Sequence, residues 1–184
     1  MKRYILIFFI LVFSFAICLA DDKDIDDIKA TYNKLKQSHP GLKKITKDLM
    51  GYSTEGGEAV YYKDTKGEIL IIEIDFYGES GKAREEYYYK NKALIFMLRT
   101  KERYNAPINT LTMSDEDLKE YGMERLDHKK SVFEESRFYF KDNKMIQWLF
   151  KKGKRNAVAD RSEWEKEEYK ILDFSNEIFN MLKS

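Results

Sequence analysis

Apolar residues recur every three or four positions near both ends of the chain and every second position between them. Between Asp24 and Lys36 they stand at spacings of three, four and three: Ile25, Ile28, Tyr32 and Leu35. This spacing predicts an amphipathic helix that ends at His39-Pro40-Gly41. A second helix is predicted from Ser162, with one apolar side made of Trp164, Ile171, Leu172, Ser175, Ile178, Phe179 and Leu182.

Short β-rich runs separated by turn residues fill the middle of the chain. The runs are Ala59–Tyr62, Ile69–Tyr77, Ala83–Lys90, Ala93–Arg99, Val132–Lys141 and Met145–Lys151. Alternation of such runs with turns predicts an antiparallel meander of about six strands. The predicted fold class is therefore α+β, with an N-terminal helix, this sheet, and a C-terminal helix packed on one face. A capping box at Ser114 and Asp117 predicts a further short helix.

Two of the predicted hairpins repeat one another in sequence. Tyr87–Phe96 aligns with Phe138–Trp148 if Asn143 is treated as an inserted residue, and Tyr61–Asp64 forms a fainter third copy. Two or three irregularly spaced copies are better explained by one sheet of similar hairpins than by a propeller or a repeat array.

Alternation along the strands assigns each side chain to one of two faces. The face expected to contact the C-terminal helix carries Leu70, Ile72, Ile74, Phe76, Tyr87, Tyr89, Leu94, Phe96, Leu98, Phe138, Phe140, Ile146, Trp148 and Phe150. The second face carries Ile71, Glu73, Asp75, Tyr77, Arg84, Tyr88, Ile95, Met97, Arg99, Arg137, Tyr139, Met145 and Leu149. It is too apolar for an ordinary solvent face. Either the N-terminal helix and residues 104–131 cover it, or it binds a ligand.

The second face supplies the candidate ligand-binding residues. They are Tyr88, Tyr139, Arg84, Arg99, Arg137, Glu73 and Asp75. Aromatic and Arg side chains dominate binding hot spots, which favours a protein, small-molecule or glycan partner at this face. Glu73 and Asp75 share a face and could instead form the acid/base pair of a hydrolase acting on cell-wall or carbohydrate substrates. Cross-strand ion pairs with arginines are the more ordinary role of such carboxylates, so an enzymatic function is the weaker hypothesis.

The first twenty residues have the pattern of a secretory signal. Lys2 and Arg3 precede an uncharged run that stops at Asp21, and the small residue Ala20 favours cleavage between Ala20 and Asp21. The expected mature chain is a single α+β domain, 21–184, with no transmembrane span, in the periplasm or outside the cell. An uncleaved anchor and a lipoprotein acylated at Cys18 are the alternatives.

Charge and composition exclude several kinds of partner. The chain has 33 Lys and Arg against 32 Asp and Glu, so it lacks the basic excess expected of a nucleic-acid-binding protein. Loss of Cys18 with the signal would leave no disulfide and no thiol. Gly78–Lys82 lacks the first Gly and the final Ser or Thr of a phosphate-binding P-loop. The two histidines have no zinc-ligand spacing, so neither a metal nor a cofactor is expected.

Three phrases of the sequence resemble a group of exported bacterial proteins of unassigned function. The phrases are Ser53-Thr54-Glu55-Gly56-Gly57-Glu58, Tyr77-Gly78-Glu79-Ser80-Gly81-Lys82 and Arg137–Leu149. The resemblance covers most of residues 50–150 and implies export and a hairpin-rich fold. It supplies no catalytic residues to transfer. The sequence as a whole therefore favours an exported binding or interaction protein.

Overall fold

Two long helices lie on opposite faces of one antiparallel sheet. The computed structural model describes the backbone of residues 22–152, 155–158 and 161–182. It describes the side chains of residues 22–151 and 163–182. The predicted signal, its cleavage site and Cys18 lie outside the described residues. The helices are α1 (Asp22–Ser38), α2 (Asp115–Glu120) and α3 (Arg161–Asn180). The strands are β1 (Lys43–Asp48), β2 (Gly57–Lys63), β3 (Ile69–Gly78), β4 (Gly81–Lys90), β5 (Ala93–Arg103), β6 (Val132–Lys141), β7 (Lys144–Lys152) and β8 (Arg155–Val158).

The sheet is the predicted meander, extended by one strand at each edge. Every described strand pairs antiparallel with its chain neighbours in the order β1 to β8. The α+β prediction is confirmed. The two edge strands escaped prediction because β1 is a lysine-rich segment without aromatic residues and β8 is only four residues long. None of the described helices has the length and apolar character needed to cross a membrane.

Each face of the sheet has its own core. On one face, α3 buries Ile171 and Ile178 against aromatic residues that include Tyr61, Tyr87 and Phe138. On the other face, α1 buries Ile25 and Ile28 against a second cluster that contains Val60, Tyr62, Ile71, Tyr88, Phe96 and Tyr139. The second face is therefore covered by the N-terminal helix, as one of the two alternatives expected, but residues 104–131, which were expected to share in covering it, contribute nothing to this cluster.

A β-bulge recurs in three alternate hairpins of the meander and shifts the register of each. Leu70, Ile95 and Ile146 are skipped in the pairing of β2 with β3, β4 with β5 and β6 with β7. The bulged residue and the one after it then point to the same face. All three bulged side chains pack, partly buried, on the cluster beneath α1.

These bulges correct part of the predicted face assignment. Leu70, Phe96, Leu98 and Ile146 were expected toward α3 and instead pack in the α1 cluster. Conversely, Met97 and Met145 pack in the α3 cluster. Simple alternation fails at these positions because one extra residue in a strand reverses every side chain beyond it. Trp148 lies on the expected α3 face but is half-buried.

The turns also correct the proposed alignment of the repeats. The β4–β5 turn has left-handed backbone at Asn91 and Lys92, and the β6–β7 turn has it at Asp142 and Asn143. Both are two-residue turns with positive φ at both positions, as in a type I′ hairpin. Asn143 is therefore not an insertion; it corresponds to Lys92.

The segment between β5 and β6 packs at the β3–β4 turn. The backbone N–H of Tyr104 donates to Ser80 O at 2.9 Å, and that of Ile108 donates to Glu79 O at 2.9 Å. The predicted cap of α2 is present, because Asp117 N donates to Ser114 Oγ at 3.0 Å. Arg125 ties the segment together by donating to carbonyl oxygens of Thr110 and Met113 at 3.0 and 2.9 Å.

Candidate functional site

The two tyrosines of the predicted ligand-binding set lie beneath α1. Tyr88 is 1% exposed and Tyr139 is 4% exposed. The ring of Tyr32 from α1 contacts Tyr88 and Phe96 edge-on, with centroid distances of 4.8 and 4.9 Å. Phe96 lies 5.0 Å from Tyr139, so the four rings form one continuous row. An exposed platform of Tyr88 and Tyr139 is therefore absent, and a ligand can meet this row only at the edge of α1.

The predicted carboxylates and Arg84 form a charged cluster on the same face. Arg84 donates to Glu73 Oε2 at 2.7 Å and to Asp75 Oδ2 at 2.8 Å, and its Nε lies 3.6 Å from Glu86 Oε1. Burial opposes the charge of the guanidinium, but the attraction of these three carboxylates outweighs it and raises the pKa of Arg84. One guanidinium therefore engages both Glu73 and Asp75.

Two phenols and an imidazole complete this cluster. Tyr62 donates to Glu73 Oε2 at 3.0 Å, and Tyr88 donates to Glu86 Oε2 at 2.6 Å. Burial, followed by the negative charge of Glu73, raises the pKa of Tyr62 to about 12. Burial and the hydrogen bond to Glu86 raise the pKa of Tyr88 further. His39 stacks on Tyr62 with 4.0 Å between ring centroids, and its Nε2 lies 3.3 Å from Glu73 Oε1 without hydrogen-bond alignment.

A groove opens where α1 meets β5 and β6, beside the aromatic row. It has a volume of about 270 Å³ and is lined by Lys29, Tyr32, Asn33, Phe96, Leu98, Arg137 and Tyr139. Its floor is aromatic and apolar, whereas Lys29 and Arg137 bring positive charge from two different elements. We call this feature the α1 groove. Small-molecule sites share this composition, a mainly apolar lining with a few polar groups that fix orientation.

In the described part of the chain, each of the two cations of the α1 groove pairs with one carboxylate of its own helix or strand. Lys29 Nζ lies 3.2 Å from Asp26 Oδ1, and Arg137 Nη2 lies 2.8 Å from Glu135 Oε1. Both cationic side chains are about half exposed, at 52% and 51%. Exposed ion pairs of this kind contribute roughly 0–1 kcal/mol. If a ligand anion replaced Asp26 or Glu135 as the partner of these cations, the free energy of unfolding would therefore change little.

Arg99, the last member of the predicted set, lies on the opposite face. Its Nε donates to Glu85 Oε1 at 2.6 Å, and the guanidinium also contacts Glu167 of α3. Tyr87 donates to the other oxygen of Glu85, and the guanidinium lies 5.3 Å from the Phe138 ring centroid. The structure thus separates Arg99 from the six other predicted residues and places it in a network between the sheet and α3.

Sequence reasoning missed Lys29, Asn33, Glu86, Tyr62 and His39. Lys29 and Asn33 stand four apart on α1 and flank Tyr32, a spacing that places them on one side of a helix. This spacing is visible in the sequence. It does not point to a site by itself, because the sequence does not show which strands lie beneath α1.

The Gly78–Lys82 phrase forms a tight turn rather than a phosphate site. β3 ends at Gly78 and β4 begins at Gly81, so a strand follows the turn where a P-loop requires a helix. A Cβ atom at Gly81 would lie 2.3 Å from Glu102 O, which explains the need for glycine at this position. Among the described residues, no group of three or more His, Cys, Asp or Glu side chains is placed to hold a metal ion.

Comparison with known proteins finds no match: no family model, no curated protein and no solved structure matches the chain.

Proposed function

We propose that the protein is an exported binding protein whose α1 groove holds a small molecule with an apolar body and an anionic group. The observation that carries this proposal is the pairing of an aromatic floor with two cations, Lys29 and Arg137, in one groove of about 270 Å³. The floor would bury the body of the ligand, and the cations would contact its charge. A groove of this size suits a small molecule better than a protein surface.

The charged cluster supports binding over the alternative hydrolase. Glu73 and Asp75 both pair with Arg84, at 2.7 and 2.8 Å, which is the ordinary cross-strand role of such carboxylates. We therefore infer that Glu73, Asp75 and Arg84 have a structural role and stabilise the sheet surface beside α1.

The experiment is a fluorescence titration of residues 21–184 with 8-anilinonaphthalene-1-sulfonate, which carries an aromatic body and one anionic group. Replacement of both Lys29 and Arg137 by Gln should raise the dissociation constant at least tenfold, because one charge-assisted hydrogen bond contributes about 1.5–3 kcal/mol. Lys34→Gln on the same helix is the matched control and should bind as wild type. Since the dye also binds loosely packed proteins, each variant must first show cooperative urea unfolding.

An unchanged dissociation constant in the double variant would place the dye elsewhere and remove the support for this site. The export part of the proposal has its own test. Mass spectrometry of the protein from its native envelope should find Asp21 at the N-terminus. An acylated Cys18 would instead indicate a lipid anchor.

A further inference from the structure

A second groove lies on the other face of the sheet, alongside α3. One part has a volume of about 440 Å³ and extends from the β1–β2 connection across β3, β4 and β5 to β6. A smaller part of about 170 Å³ continues along β5, β6 and β7 to Glu167 of α3. Lys101 and Glu134 line both parts, so the two depressions adjoin one another, and we call the pair the α3 groove. It shares no lining residue with the α1 groove.

Two cations stand unpaired in the α3 groove. Lys101 and Arg103 are exposed, two residues apart on β5, and therefore point to the same face. Within the described part of the chain, neither side chain has a hydrogen bond or an ion pair. Arg84, Arg99 and Arg137, the other arginines of β4, β5 and β6, are all paired with carboxylates. This contrast marks Lys101 and Arg103 as the cations of the α3 groove that are available to an anionic ligand.

Aromatic side chains line the groove on both sides of these cations. Phe76 lines the larger part, and Trp148 and Phe150 line the smaller part; all three are half-buried. Thr54 and Ser136 bring hydroxyl groups to the two parts. Aromatic faces carry partial negative charge and attract the C–H bonds of a flat apolar surface such as a sugar ring.

The position of the α3 groove on the face of the sheet favours a glycan over an extended peptide as its ligand. The groove crosses β4, β5 and β6, and each of these strands pairs on both sides. Their backbone N–H and C=O groups are used within the sheet, so an extended peptide could not add to it as a further strand. A ligand here must be recognised by side chains and by the β3–β4 turn that lines one end of the groove. Hydroxyl groups, ring faces and carboxylates of an acidic sugar chain match the side chains present.

We propose that the α3 groove binds an acidic oligosaccharide, with its carboxylates on Lys101 and Arg103 and its rings against Phe76, Trp148 and Phe150. This site is independent of the α1 groove. The test is isothermal titration calorimetry of residues 21–184 with a tetramer of galacturonic acid. Cellotetraose, which is uncharged, and a tetraglutamate peptide, which has charge without sugar rings, are the comparison ligands.

The galacturonate tetramer should bind at least tenfold more tightly than either comparison ligand, and its affinity should fall as salt rises. Lys101→Gln with Arg103→Gln should weaken its binding at least tenfold. The charge-preserving pair Lys101→Arg with Arg103→Lys should retain binding. Lys90→Gln with Lys92→Gln, at the other end of the same hairpin, is the matched control and should bind as wild type.

Several results would overturn the proposal. They are absence of galacturonate binding, equal binding of cellotetraose or tetraglutamate, and equal weakening in the Lys90 and Lys92 control. Circular dichroism and thermal melting verify that each variant is folded. The charge-preserving pair keeps the test decisive if the neutral pair proves unstable, because loss of binding in that pair would also contradict the proposal. Dye binding at the α1 groove should be the same in all these variants, so the two proposals can fail separately.

Discussion

Truncation of Tyr88 tests whether α1 covers the sheet as described. Tyr88 is 1% exposed, its ring centroid lies 4.8 Å from that of Tyr32, and its hydroxyl donates to Glu86 at 2.6 Å. Removal of a buried aromatic ring typically costs about 3–5 kcal/mol. Loss of the donor to a mostly buried carboxylate adds about 1 kcal/mol. Tyr88→Ala should therefore lower the free energy of unfolding by about 4–6 kcal/mol, a large part of the total for one domain.

Urea unfolding of residues 21–184, followed by circular dichroism, measures this loss. With a denaturant slope of about 2 kcal/mol/M, the midpoint should fall by about 2–3 M. Tyr88→Phe keeps the ring and removes only the hydroxyl, so its cost should be about 1 kcal/mol. Tyr121→Ala is the control, because Tyr121 is 63% exposed and its truncation should change stability by no more than about 0.5 kcal/mol.

A midpoint for Tyr88→Ala that matches the Tyr121→Ala control would refute this reasoning. It would mean that the Tyr88 ring is solvated and that α1 does not pack on this face. The predicted ligand-binding set would then recover its exposed aromatic platform.

Three further predictions concern the cluster and the turns. Arg84→Met should lower the free energy of unfolding in urea by about 1–2 kcal/mol, because it leaves three carboxylates without their guanidinium partner. The cost is limited because the guanidinium is 42% exposed and screened by water. An unchanged urea midpoint would contradict the ion-pair cluster. Lys92→Gly should raise the melting temperature by about 2–4 °C, because Lys92 has φ of 64° and glycine adopts this conformation without strain; a lower melting temperature would argue against the type I′ turn. Tyr62 is held neutral by burial and by Glu73, with its pKa raised from 10.0 to about 12, so the stability it contributes is complete below pH 10 and is lost as pH rises to about 12. Tyrosinate absorbance and urea midpoints measured from pH 9 to 13 should show this late step, and a single ionisation near pH 10 for all tyrosines would contradict it.

Strand order and helix positions followed from the sequence, because period-two and helical spacings are local properties. The faces of Leu70, Met145 and Ile146, and those of the β5 residues from Phe96 to Arg99, did not follow. A bulge is set by how two strands fit together, and apolar residues on both faces of this sheet left the alternation without a polar marker. Treating Asn143 as an inserted residue hid the repeated bulge, because it shifted the alignment of the two hairpins by one residue. Aligned by their equal turns, Ile95 and Ile146 coincide and reveal the repeated bulge.

The candidate site was predictable only in part. Pairing of Glu73 and Asp75 with an arginine was expected, because β3 and β4 are adjacent and Arg84 faces Asp75 across the ladder. Arg99 was assigned to the wrong face because it follows the bulge in β5. The α1 groove could not be predicted, since it depends on the path of α1 across strands more than sixty residues away in sequence.

The most direct test of the proposed binding function is an amide chemical-shift titration of residues 21–184 by NMR with 8-anilinonaphthalene-1-sulfonate. With the dye in the α1 groove, the perturbed amides should cluster at Lys29, Tyr32 and Asn33 of α1 and at Leu98, Arg137 and Tyr139 of the sheet. The amides of Lys101 and Arg103 should be unperturbed. Absence of saturable shifts, or shifts concentrated at the α3 groove, would contradict a binding site beside α1.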